Sequence, residues 1–376
     1  CGNEMVQLLS DEELSHIDPK ELPQIIEAMR AGYRYGNPDY DEKLWDSRTK
    51  KEEIQRKIKF WVYFLIILIL FPYVMTVFIH GSDMKTKWKQ NQNFVKVKQA
   101  DIKGEEEIIE VPWNEYFIGV LSAEVPVSAE KEFIKAQAVV VRTKLYQINE
   151  DARQNGREAV FEEQYLTTKE IEKKQMNAQD DSYYERLVQA EEETKKQVLY
   201  YQGTYAYVPF HRSSNGMTRS YQEVTGQEAY PYLTAKECPE DKEAEDELQV
   251  RTISYREIQK KCQPFLKAVE EKDADKLYKF SDFKIEAYDS AGYVLQMKIG
   301  NTICSGEQFR EALSLPSSSF SIKEVKGELQ IKTSGNGHGL GMSQWTANQM
   351  AKEGKSYREI LQYFYEGTEV VEQTPE

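Results

Sequence analysis

A chain of 376 residues with 40% hydrophobic and 12% aromatic residues carries enough apolar mass for two or three folded units, which excludes wholesale disorder. Its 63 acidic against 49 basic residues leave a net charge of −14. That is the wrong sign for holding nucleic acid by overall field, because neutralising phosphates takes clustered Lys and Arg. Four cysteines without a C-x-x-C pair are too few for a disulfide framework.

The first segment in chain order is a tail, residues 1–59. Cys1, heading Cys-Gly-Asn, suits a lipid-modified cysteine, a reading that an anchor farther along makes unnecessary. Residues 10–13 (SDEE) have the S-x-x-E capping-box form, and Pro19 fits the first turn of a helix that Gly32 and the GNP at 36–38 stop. Residues 60–82 then contain no Asp, Glu, Lys or Arg. About 20 apolar residues cross a hydrocarbon core of roughly 30 Å, and Pro72 is tolerated within a membrane helix. The pattern predicts one transmembrane helix. It is too long and too far from the start for a secretory h-region, and no small-residue cleavage site follows. Basic residues nearly balance on its two sides (Arg48, Lys50, Lys51, Arg56, Lys57 and Lys59 against Lys85, Lys87, Lys89, Lys96 and Lys98), with a slight lean towards a cytoplasmic tail. Residues 83–104 are polar and read as a linker.

From residue 105 the pattern becomes globular. EEIIEVPWNEYFIGVLSAEVP reads as a strand entering a helix, and Ser128 is placed to cap a second helix, in which Phe133, Ala136, Val140 and Lys144 share one face. Ser182 to Glu185 offers another capping box before a charged helix. Two β-rich runs flank Gln202-Gly203-Thr204, and FKIEAYDSAGYVLQMKIG reads as a second hairpin. A helix follows Ser305, a strand runs into TSGNGHGLGMS, and two short helices end at Gly354 and Gly367. Helices mixed with hairpins, without βαβ regularity, indicate an α+β fold.

Chemistry-bearing residues are few. The glycines at 335, 337, 339 and 341 match neither a dinucleotide nor a P-loop fingerprint. Two readings stand: close approach of a ligand or of another stretch of backbone, or a tight turn before a helix capped by Ser343. Of four histidines only His211 and His338 fall in the globular region, and neither G-x-S-x-G nor H-E-x-x-H is present. His211 with Cys238, Cys262 or Cys304 lacks a close ligand pair, so no metal and no cofactor are expected. Glu124, in SAEVP at the junction of two helices, has a common address for an exposed, functional carboxylate, but among 63 acidic residues position alone does not single it out.

Taken together, YFIGVLSAEVPVSAEKEFIKAQAVVVRTKLY, the stretch from VLYYQGTYAYVPFHRSSNGM to TAKECPED, SGEQFREALSLPSSSF and GNGHGLGMSQWTANQMAKEG resemble the SpoIID/LytB domain family, in the family's order, over most of residues 105–371. SSNGM and Trp345-Thr346 depart from the family's usual glycine-rich wording, and residues 154–179 are longer and more polar. The resemblance implies a membrane-anchored extracytoplasmic domain (105–371) that acts on peptidoglycan. It implies a lytic transglycosylase cutting denuded glycan strands during sporulation and forespore engulfment, with Glu124 as catalytic acid and base. By the same resemblance, Arg142, His211, Ser213, Ser214, Asn215, His338, Ser343 and Gln344 would line the glycan groove. Tyr205, Tyr207 and Trp345 would stack on sugar faces, and stage II sporulation proteins P and M would be partners. The rival readings are a non-catalytic wall-binding module that modifies an amidase, and a vegetative wall-remodelling protein.

Overall fold

The computed structural model describes residues 93–100, 104–245, 247–266 and 277–373, with isolated positions at 20, 23, 24 and 27. The chain divides into residues 1–91 and 92–376, and the fold below is that of the second unit. The helix expected at 60–82 and the capping box at 10–13 lie outside the described residues. Among the described residues, no helix is long and apolar enough to cross a membrane.

Strand β1 (Phe94–Ala100) begins inside the stretch read as linker. Its lysines are held in ion pairs: Lys96 with Glu158 at 2.5 Å and Lys98 with Glu106 at 2.9 Å, while Val97 between them is fully buried. Alternation, not polarity, was the relevant signal there. β1 runs antiparallel to β2 (Glu106–Pro112), with Phe94 opposite Pro112, and parallel to the short β3 (Val160–Phe161).

Helix α1 (Trp113–Glu124) follows β2 directly and leads into α2 (Lys131–Gln154), which is buried nearly all round from Phe133 to Tyr146. A helix apolar on every side belongs at the centre of a core. Its N-cap is Glu130, whose N–H donates to Asn348 Oδ1 at 2.8 Å, so Ser128 does not cap it. Helices α3 (Thr168–Ala178) and α4 (Tyr183–Glu193) flank α1. A complete capping box closes α3, with Thr167 and Glu170 bonded reciprocally. Ser182 stands at the N-cap of α4 but caps nothing, because its hydroxyl donates to Asp180 Oδ1 at 2.7 Å.

The expected hairpin at Gln202-Gly203 forms from β4 (Gln197–Tyr201) and β5 (Thr204–Tyr205), and β4 also pairs with the last strand, β14 (Glu369–Glu372). After β6 (Phe210–His211) and the short α5 (Tyr221–Thr225), a second core is built. It consists of β7 (Leu248–Ile253), α6 (Tyr255–Cys262), the hairpin β8 (Phe283–Tyr288) and β9 (Val294–Ile299), and β10 (Thr302–Cys304). It is completed by α7 (Gly306–Leu313), β11 (Phe320–Val325) and β12 (Glu328–Ser334). The sheet orders β10-β9-β8 and β11-β12-β7 are antiparallel; the first contains the hairpin expected at FKIEAYDSAGYVLQMKIG, and the second joins strands that the sequence pattern did not pair.

The glycine loop then returns the chain to the first core, where β13 (Met342–Ser343) pairs in parallel with β6. Helices α8 (Gln344–Lys352) and α9 (Tyr357–Phe364) pack on α2. Both sequence readings of that loop hold a part of the structure. Ser343 does cap α8, accepting from the Thr346 N–H at 3.3 Å. The glycines also admit close approach of this chain's own backbone: Gly341 has φ +70, and a Cβ there would collide with the Pro209 carbonyl oxygen. The fold is α+β throughout the described residues.

Candidate active site

Glu124 is the last residue of α1 for a local reason. Pro126 disfavours helical backbone in the residue before it, so Val125 turns extended (φ −101, ψ 127) and the helix stops. The carboxyl group therefore sits at the negative end of a helix, half-buried beside the fully buried Leu121 and Val125.

Burial is the main cause that holds the Glu124 carboxyl above the ordinary carboxylate range. Lys144 pulls it down, Glu163 pushes it up, and Lys174 and a hydrogen bond from Gln344 pull it down again. Glu163 is engaged in its own ion pair with Lys144 at 2.8 Å. Lys174 reaches from α3 and donates to the carbonyl oxygens of Ser122 at 2.5 Å and Val125 at 2.8 Å. The Tyr183 hydroxyl donates to the same Val125 carbonyl at 2.7 Å. Burial lowers the Lys174 ammonium below the usual lysine range, and the charge of Glu124 opposes that shift. The backbone on both sides of Glu124 is thus clamped by donors from α3 and α4.

Among the other residues assigned to a groove, Gln344 alone is recorded touching Glu124. Its amide donates to the Glu124 carbonyl at 3.3 Å and to Gln137 Oε1 at 3.4 Å. Arg142 is 1% exposed, and its guanidinium donates to Thr194 O at 2.7 Å and Gln197 O at 3.2 Å while lying 4.5 Å from the Phe117 ring centre. It ties α2 to the α4–β4 junction and presents no free surface. His211 is 4% exposed, its Nδ1 donating to Leu340 O at 3.1 Å, and its ring centre lies 5.7 Å from that of His338. Burial first, and His338 second, push the His211 imidazole down to about 3. Nδ1 of His338 accepts from the Leu340 N–H at 3.0 Å.

Ser213, Ser214 and Asn215 are structural in their contacts. The Ser213 N–H donates to Asn336 O, and the Asn215 amide donates to Ala291 O at 2.8 Å and Ser319 Oγ at 2.9 Å. Ser214 and Ser343 converge on a residue that sequence reasoning missed, Asp241. This fully buried carboxylate accepts from the Ser214 N–H at 2.5 Å, Ser343 Oγ at 2.8 Å and Thr346 Oγ1 at 2.7 Å. Burial still holds its carboxyl above the usual range. Asp241 joins segments about a hundred residues apart, a link that no local motif announces. Lys144, Glu163 and Lys174 were missed for the same reason.

Of the proposed sugar-stacking rings, Tyr207 packs among Tyr221 and Tyr230, and the indole N–H of Trp345 is buried without a hydrogen-bond partner among the described residues. The described residues hold no group of three or more His, Cys, Asp and Glu side chains suited to a metal ion. Cys238, Cys262 and Cys304 are buried free thiols.

The family model described as "Stage II sporulation protein" matches residues 101–201, the segment that carries α1, Glu124, α2 and the residues around them. Stage II sporulation protein D of Bacillus amyloliquefaciens is 31% identical over 277 residues, covering 70% of this chain and 75% of that protein. The protein of the same name from Bacillus subtilis (strain 168) is 29% identical over 268 residues with the same coverage. Amidase enhancer of Bacillus subtilis (strain 168) is 25% identical over 297 residues, 66% of this chain and 39% of that protein. Matches of this length and identity, falling on the helix pair that positions Glu124, place the chain in the stage II sporulation protein D family.

Proposed function

We propose that this protein is a lytic transglycosylase of the cell wall, cutting the bond between N-acetylmuramic acid and N-acetylglucosamine in glycan strands already stripped of stem peptides. The observation that carries the reading is the Glu124 carboxyl, raised by burial at the end of α1. A group so placed is protonated near neutral pH more often than an exposed glutamate, as a general acid requires.

In the proposed reaction Glu124 gives its proton to the glycosidic oxygen as the bond from that oxygen to C1 of N-acetylmuramic acid breaks. The C6 hydroxyl of the same sugar then attacks C1, and its proton passes to the Glu124 carboxylate. The ring closes as a 1,6-anhydro sugar and the enzyme is restored, so no second carboxylate nucleophile is consumed. The ion pair between Glu163 and Lys144 is consistent with a single working carboxyl. The clamp from Lys174 and Tyr183 would hold the Glu124 backbone still while the proton moves both ways.

The anchor at 60–82 would keep the domain on the outer face of the membrane, with the tail inside. A wall-stripping amidase such as stage II sporulation protein P, together with stage II sporulation protein M, would supply and share the substrate. Incubation of the detergent-solubilised chain with denuded glycan strands tests the reading. Anhydromuramyl product is expected, falling about 10²- to 10⁴-fold in Glu124→Gln. No such product, or undiminished product from the variant, overturns it. The 25% identical relative named Amidase enhancer supports a second reading, glycan binding that stimulates an amidase without cleavage.

A further inference from the structure

We propose that a cleft of about 540 Å³ between the C-terminal half of α2 and the β4–β5 hairpin is a second saccharide site that binds an uncharged, N-acetylated sugar chain. None of the side chains around Glu124 lines it: Glu124, Lys144, Glu163, Lys174 and Gln344 are all absent from its walls.

One wall is aromatic. Tyr200 and Tyr205 are cross-strand partners with ring centres 4.9 Å apart, and Tyr146 stands edge-on to Tyr205 at 6.2 Å. Tyr146 is itself backed by Trp113 at 5.6 Å, so the platform is fixed to the core and does not have to be ordered on binding. Tyr200, Tyr205 and Tyr230 remain half-buried, which leaves ring surface for a ligand. The C–H groups of a pyranose face carry partial positive charge and lie well on the negative face of such rings. At the hairpin tip Gly203 takes φ +84, the left-handed backbone that a two-residue turn needs, and lines the cleft without a side chain.

The opposite wall is polar and already organised. Glu150 accepts from Arg153 Nε at 3.2 Å and from the Gln154 amide at 2.9 Å, which brings three planar groups together at the surface. Together with Asn149 and Gln147 it presents donors and acceptors side by side, as hydroxyl and acetamido groups require. Charge decides the ligand class. The charged residues of the walls are Glu150, Asp151 and Arg153, which sum to one negative charge, so phosphates and other anionic polymers are disfavoured. The Tyr146 and Tyr205 hydroxyls are held protonated by burial and remain neutral donors. A cleft that combines a rigid aromatic floor, organised planar polar groups and no net positive charge suits a neutral saccharide.

That the sugar is wall glycan rests on the reading of Glu124 above; the chemistry of the cleft does not. The experiment uses the full chain carrying Glu124→Gln, with a soluble N-acetylglucosamine hexamer as the neutral probe and denuded glycan strands, which carry a lactyl carboxylate on each N-acetylmuramic acid, as the anionic comparison. Binding is measured by cosedimentation and by calorimetry. Tyr205→Ala and the surface change Glu150→Ala are each expected to weaken binding of the hexamer at least tenfold, while Tyr205→Phe stays within about threefold. Binding indifferent to both Tyr205→Ala and Glu150→Ala overturns the proposal, as does preferential binding of polyphosphate over the hexamer. Cleft-dependent binding, together with a native chain that yields no anhydromuramyl product, would sink the cleavage reading and sustain this one. Cleavage by the native chain with cleft-indifferent binding would do the reverse.

Discussion

Lys174 donates to the Val125 carbonyl at 2.8 Å, and with its bond to Ser122 at 2.5 Å this places an ammonium group against the backbone on either side of Glu124. The same cation lowers the Glu124 carboxyl while burial raises it. Removing it leaves a carboxylate at a helix C-terminus with one fewer compensating charge, so protonation becomes more favourable. In Lys174→Met the alkaline limb of the pH–rate profile on glycan strands is therefore expected to move to higher pH. A limb that stays in place, or moves down, contradicts the assignment. The Val125 carbonyl keeps its bond from Tyr183, so the loss of stability should remain near the 1–3 kcal/mol of an unmade buried hydrogen bond.

The same carboxyl makes a prediction about stability that needs no substrate. A folded-state pKa above the unfolded value favours folding below the unfolded pKa, and that advantage is lost as pH rises through the folded pKa. At pH 7 the ionised Glu124 is thus a burden on the fold. Glu124→Gln keeps the shape and removes the charge. Its melting temperature is expected above that of the native chain at pH 7, with the gap closing at pH 4 and below. An equal or lower melting temperature at pH 7 would mean that the side chain is better solvated than its burial indicates.

Much of this architecture follows from local pattern. Pro126 dictates the end of α1 and hence the position of Glu124, and the Gln202-Gly203 turn and the helix after Ser305 behave as their sequences imply. Other readings failed where a neighbour outcompeted the local partner. Ser182 gives its hydroxyl to Asp180, and the lysines of β1 look like a solvated linker until Glu158 and Glu106 are set beside them. The surroundings of Glu124 are legible only in part, because Lys174, Glu163 and Gln344 come from three separate segments and act on it through space. Arg142 shows the converse: a charge within a matched motif, which reads either as a groove residue or as a structural ion pair on a central helix, directs its Nη1 to the Thr194 and Gln197 carbonyls inside the core.

His211 predicts an acid limit. Its imidazole is held down to about 3 by burial and by His338, against an ordinary value of about 6.5. A depressed folded pKa gives stability that is present above the unfolded value and lost as pH falls through the folded one. For an imidazole this buried the loss is on the order of 5 kcal/mol between pH 6.5 and 3. His211→Asn can still donate towards Leu340 O but does not titrate. Denaturant unfolding from pH 7 to pH 4 is expected to show a shallower fall in the variant than in the native chain; parallel curves would show that His211 gains its charge at little cost.

Arg219 and Asp289 join the glycine loop to the second core and give the last prediction. Their Nε to Oδ2 distance is 2.6 Å, and their side chains are 3% and 0% exposed. Arg219 also lies 4.9 Å from the Tyr293 ring centre, and its backbone N–H donates to Gly339 O at 2.7 Å. Asp289 accepts from the Tyr293 N–H at 2.8 Å. Removing one partner strands the other charge in a dry site, so Arg219→Met is expected to cost about 3–5 kcal/mol in denaturant unfolding. Replacing both, as Arg219→Met with Asp289→Asn, relieves that stranded charge and should recover part of the loss. Coupling of this sign in the double variant distinguishes a buried pair from two independent contacts; additive losses would refute it. Because Gly339 hangs from the Arg219 backbone, Arg219→Met should also speed amide exchange at Arg219 itself, while exchange within α2 stays slow.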